Sequence, residues 1–140
     1  MKIFKSLAAI VSAILISFTA SAEPPTNVAG LIGNWVNIDS STGGIVRVVI
    51  TNTGSGLRFT SYGACSPTPC VHSTVVAYPY AASVASETAT AFYAYRYVGF
   101  KYERHLGQRI GSYLRLDSLN TFASGDTRTD YHSYGYFLKQ

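Results

Sequence analysis

The chain has 140 residues with 11 Lys+Arg against 7 Asp+Glu, and the resulting charge of +4 is scattered rather than clustered. Nucleic acid needs a concentrated basic face, so it is not an expected partner. Lys2 and Lys5 belong to an expected export signal, and without them nine basic residues against seven acidic leave only +2.

Residues 1–22 have the layout of a secretory signal peptide: a positive start, an apolar run from Leu7 to Phe18, and Ala20-Ser21-Ala22 as cleavage site. A mature chain starting at Glu23, secreted or periplasmic, is the expectation. No later apolar run approaches the ~18 residues of a spanning helix, so no membrane span is expected. Residues 23–140 suit a single domain with one core. Glu23 to Asn27 (EPPTN) reads as a mobile lead-in.

From there the signals are those of strands. Gly33 to Ile38 alternates apolar and polar residues around Trp35, the one tryptophan. Asp39 to Gly44 is turn chemistry. Ile45 to Thr51 (IVRVVIT) is β-branched, with Val46, Val48 and Ile50 on one face and Arg47 on the other, wetter one. A loop of about five residues from Asn52 to Gly56 leads to a third strand, Leu57 to Gly63. Cys65 and Cys70 then bracket Ser-Pro-Thr-Pro, a loop stiffened by Pro67 and Pro69. Further strands follow at Val71–Tyr80, Thr88–Val98, Phe100–Leu106, Ser112–Leu119 and Asp130–Lys139, with Gly107 or Gly111 marking a turn. No convincing helix is found. Eight short, regularly spaced strands argue an all-β fold, an eight-stranded antiparallel up-and-down barrel. Closure also removes the sheet edges that invite aggregation. Trp35 is expected at the closed end.

The motifs GNWVNID-x3-GGI, YGACSPTPC and the closing TRTDYHSYGYFLK resemble a group of small secreted bacterial β-barrel domains. Their pattern is Gly-x-Trp-Val-Asn-x-Asp, Gly-Ile, then Gly-x-Cys-x-Pro-Thr-x-Cys. The resemblance implies a lipocalin- or avidin-like barrel and carries no activity. The chain departs from the group after the second cysteine, where Val71-His72-Ser73 stands in place of Asp-Trp-Gly.

Cys65 and Cys70 allow a disulfide or, with His72, three metal ligands. Structural zinc sites use four ligands in tighter spacings, and export favours a disulfide. No catalytic signature is found, so a non-enzyme without cofactor or metal is expected. His72, His105 and His132 are far apart in sequence, although strands can bring two together. The Ser124–Asp130 loop has two carboxylates but reads as a solvated turn rather than a calcium site.

The compositional oddity is eleven tyrosines. Tyrosine joins a flat apolar face to a hydrogen-bonding tip, which suits a ligand cavity or an adhesive surface; it is also a good strand former. At period two, Tyr93, Tyr95 and Tyr97 share one face, as do Tyr134 and Tyr136. An eight-stranded barrel cannot hold both rows inside, so at least one is a stacking platform. The expected ligand site is therefore Tyr93, Tyr95, Tyr97 and the Arg96 neighbourhood, with Tyr134 and Tyr136. The expected function is an exported, non-catalytic binding module for a small apolar or sugar-like ligand or a surface partner. The alternatives are a structural or adhesive protein assembling through tyrosine-rich faces, or a periplasmic enzyme inhibitor.

Overall fold

Alternating strands with short turns close on themselves in the computed structural model, which describes residues 23–140. The expected signal peptide lies outside the described residues. Nine strands form: β1 (Gly33–Asn37), β2 (Ile45–Thr53), β3 (Gly56–Gly63), β4 (Cys70–Val71), β5 (Val75–Ala81), β6 (Ala89–Tyr97), β7 (Lys101–Ile110), β8 (Tyr113–Phe122) and β9 (Tyr131–Lys139). Every neighbouring pair is antiparallel, β1 pairs with both β2 and β9, and β2 pairs with β3. The result is a closed antiparallel barrel of eight strands with the two-residue β4 as an addition. Among the described residues there is no helix, and so none long and apolar enough to cross a membrane.

The expected fourth strand, Val71–Tyr80, is two pieces. β3 pairs with β4 at Tyr62 and Gly63, and with β5 only at Arg58 and Phe59. Between these pieces His72 turns inward, its Nδ1 2.9 Å from the Ser61 hydroxyl. Three other details correct the sequence reading. The β2–β3 hairpin needs only Gly54 and Ser55, because Thr53 already pairs with Gly56, whose φ of 106° suits glycine. A bulge after Ile45 breaks the inward parity of Val46, Val48 and Ile50, so Ile45 rather than Val46 packs on the core. Gly107 is not a turn. It lies mid-β7 opposite Phe92, whose ring fills the space a β-carbon would take, and the turn falls at Gly111.

One end of the barrel is packed shut. Trp35, Ile50, Leu57, Phe59, Phe92, Leu114, Leu116 and Phe137 fill the interior, with Val28 and Leu31 packed against them from below. The Trp35 indole Nε1 donates to the Leu31 carbonyl at 2.9 Å, which gives its one polar atom a partner in an apolar floor. Arg109 and Lys139 stand over the indole, 5.4 and 5.0 Å from its ring. The lead-in is not free: Asn27 pairs with Thr88, and Thr26 Oγ1 donates to Glu87. Residues 26–31 thus strap the closed end.

Candidate functional site

The opposite end is polar and partly open. The same inward parity that puts Phe92 and Ala94 in the core puts Arg96 inside, one step nearer the mouth. On β7 the inward set is Lys101, Glu103 and His105, and on β8 it is Ser118 and Asn120. Register then aligns them: Arg96 opposite Glu103, Glu103 opposite Asn120, and His105 opposite Ser118. The roof comes from Gly43 and Gly44 of the β1–β2 turn and from the loop clipped by the Cys65–Cys70 disulfide, whose Cα atoms are 5.4 Å apart. A cavity of about 300 Å³ remains beneath it, reaching Tyr131 and Ser133 on β9.

Arg96 Nε donates to Glu103 Oε2 at 2.8 Å, and Arg96 Nη2 donates to the same oxygen. Lys101 Nζ takes the other carboxylate oxygen at 2.9 Å. Arg96 Nη1 reaches the Ser61 hydroxyl and the Ser73 carbonyl, both at 3.3 Å. Ser61 Oγ thus bridges Arg96 Nη1 and His72 Nδ1. Ser118 Oγ is 2.8 Å from His105 Nδ1. The other ring nitrogen, Nε2, faces Glu103 Oε2 at 3.5 Å. That separation is long for a hydrogen bond, so Nε2 is buried without a close partner and the carboxylate acts on it through charge. A proton on Nε2 fits this placement, leaving Nδ1 to accept from Ser118.

Burial alone pushes the Glu103 carboxyl up. The facing His105 ring, the hydrogen bonds from Lys101 and Arg96, and the Arg96 charge outweigh it and hold the carboxyl well below its ordinary value. His105 is held below 6.5, first by burial and then by Arg96, against the opposing pull of Glu103. His72 is lowered in the same way, by burial and then by Arg96. At neutral pH both imidazoles are uncharged, and the site carries two cations and one carboxylate. Ser118, His105 and Glu103 align as hydroxyl, imidazole and acid. Ser118 is mid-strand and paired on both sides, with Ser133 and His105, so the backbone N–H groups beside it are committed to the ladder rather than to an oxyanion. The alignment holds an imidazole in place and offers a hydrogen-bonding wall.

Among the described residues no three His, Cys, Asp or Glu side chains gather closely enough to hold a metal ion. Cys65 and Cys70 are joined to each other, and His72 turns away to Ser61. In the Ser124–Asp130 loop the carboxylates serve the chain itself: Asp126 binds Arg128, and Asp130 accepts the Phe122 N–H at 2.8 Å.

The six expected ligand residues separate. Arg96 is 4% exposed inside the mouth, while none of the eleven tyrosines is buried. Tyr93, Tyr95 and Tyr97 line the outside of β6, where Tyr78 stacks with Tyr93 and Tyr102 lies between Tyr95 and Tyr97. Tyr134 and Tyr136 line the outside of β9, with Arg115 4.8 Å from the Tyr134 ring and paired with Asp117, which also holds His132. Both rows are outside, and residues adjacent in sequence face opposite ways. The reading from sequence missed Lys101, Glu103, Ser118 and Asn120. On β8 the trace was two polar residues at the inward parity of Leu114 and Leu116, while on β7 the inward parity carries Lys101, Glu103, His105 and Arg109 with Leu106 and Ile110 facing out, so alternation there pointed the wrong way. It also left open which histidines meet; His72 and His105 share the cavity, and His132 does not.

No family model matches the chain, and comparisons with curated proteins and with solved structures find no match.

Proposed function

We propose that this is an exported, non-catalytic binding barrel whose ligand seat is the polar mouth. One observation carries the reading. Side chains fill most of the apolar part of the interior, and the polar end keeps a partly open cavity of about 300 Å³ walled by Arg96, Lys101, Glu103, His105, Ser118 and Asn120. Buried hydrogen-bonding groups around a small cavity favour a polar, sugar-like ligand over an apolar one, since an apolar ligand leaves those groups unpaired. The short disulfide loop supports both halves of the reading, as a stiff rim for the mouth and as a bond suited to an oxidising compartment.

The exposed tyrosines support a second reading, a stacking surface for a glycan or protein. Between β3 and β5 an outer groove of about 510 Å³ is lined by Arg58, Thr74, Val76, Tyr78 and Tyr95. A small-molecule and glycan screen separates the two when run on three proteins. These are the wild type, a Ser133→Trp variant that obstructs the mouth, and a Tyr93→Ser/Tyr95→Ser/Tyr97→Ser variant. Binding lost only in Ser133→Trp supports the mouth. Binding lost only in the tyrosine variant sinks it and favours the outer face.

A further inference from the structure

The charges and free donors of the mouth select among polar ligands. Its lining holds three charged side chains, Arg96, Lys101 and Glu103, with two neutral histidines. The charge of Glu103 is already paired on both oxygens, Oε2 with Arg96 and Oε1 with Lys101. An ammonium ligand entering the cavity therefore meets a carboxylate outnumbered by two cations. Lys101 is different. Its ammonium spends one hydrogen on Glu103, leaving two of its three donors for a guest. Arg96 is held by Glu103, Ser61 and Ser73, so its role is to keep the site one charge positive rather than to reach outward. The loop carboxylates at this end are turned to their own loops: Asp39 on Ser41, Asp126 on Arg128, and Asp130 on the Phe122 N–H. Below the charges lies the apolar floor of Phe59, Leu116 and Phe137, a low-dielectric wall that concentrates the field at the opening. Tyr131, Ser133 and Asn120 add neutral groups that suit hydroxyls.

We infer that the mouth takes a small hydroxylated carboxylate, of the size and chemistry of a single uronic acid, with Lys101 Nζ as the contact for its carboxylate. This rests on the mouth being the ligand seat. Titration calorimetry with D-glucuronate, D-glucose and D-glucosamine at pH 7, followed by amide chemical-shift mapping, tests both statements separately. The expected order is glucuronate first, about tenfold tighter than glucose, as one charge-assisted hydrogen bond supplies. Glucosamine is expected to be weakest. The glucuronate advantage should shrink with added salt and fall to within about twofold in Lys101→Gln, as the charge-assisted bond is lost. Shifts should centre on residues 61–63, 96, 101–105 and 118–120. Equal binding of glucose and glucuronate, with shifts in the mouth, overturns the carboxylate inference and leaves the mouth intact. Shifts confined to the outer tyrosines, or no binding of any of the three sugars, overturns both.

Discussion

Glu103→Gln removes one charge and almost no volume, which makes it the sharpest probe of the polar mouth. In the native protein this carboxylate accepts two hydrogen bonds from Arg96 and one from Lys101, and Arg96 is only 4% exposed. Glutamine keeps one acceptor oxygen and turns an amide N–H₂ toward one of the two cations. Lys101 at the rim can recover solvation, but Arg96 cannot. Breaking a buried pair from one side costs about 3–5 kcal/mol; with Lys101 relieved by water, about 3 kcal/mol is expected. In a domain of this size that lowers the melting temperature by roughly 10–15 °C. Urea unfolding followed by the fluorescence of Trp35, the one tryptophan, gives the free energy directly. Arg96→Met/Glu103→Leu, which removes both charges and fills their volume, should return to within about 1 kcal/mol of the wild type, because apolar replacements of buried ion pairs are commonly neutral. A single variant melting within about 3 °C of the wild type would show a hydrated pair of little weight. A double variant as unstable as the sum of its singles would refute the coupling.

Gly107→Ala places a β-carbon 2.0 Å from Phe92 Cε1, so a loss of about 2–3 kcal/mol is expected, partly recovered by adding Phe92→Leu; urea midpoints of the single and double variants check both. Trp35→Ala should cost roughly 3–5 kcal/mol, and a change within ~0.5 kcal/mol would contradict its burial. Acid should destabilise the fold in two stages. His72 and His105 are held below 6.5 in the native state, so the unfolded chain binds more protons once pH falls through 6.5, and stability is lost from there downward. Glu103, lowered from 4.5, adds a further loss below 4.5. Unfolding free energies flat above pH 6.5 and falling beneath it are expected, and a rise on acidification would refute the assignment. Cys65→Ser/Cys70→Ser should cost only about 2 kcal/mol, because the bond closes a loop of sequence separation 5. Ligand titration of the same variant should show a larger effect, through loss of the roof.

Period two by itself determined the class of fold. The IVRVVIT run, the alternation around Trp35 and the tyrosine rows each assign a strand and two faces, since in a pleated chain side-chain direction follows parity. The Cys65–Cys70 pair was legible because a short, proline-stiffened loop offers each cysteine a partner close at hand. Parity failed where something outside the strand intervened, as at the bulge after Ile45 and where His72 turns in to Ser61 and splits one expected strand into β4 and β5. Gly107 has no local signal separating a turn from a mid-strand space, because the reason for it is the Phe92 ring on the neighbouring strand. The mouth was the least legible part. Arg96, Glu103, His105 and Ser118 come from three strands, and what joins them is the register between β6, β7 and β8. Parity can say that Arg96 faces away from Tyr95 and Tyr97. Only the closed barrel decides that its side is the inside, because closure turns one face of every strand away from water at once.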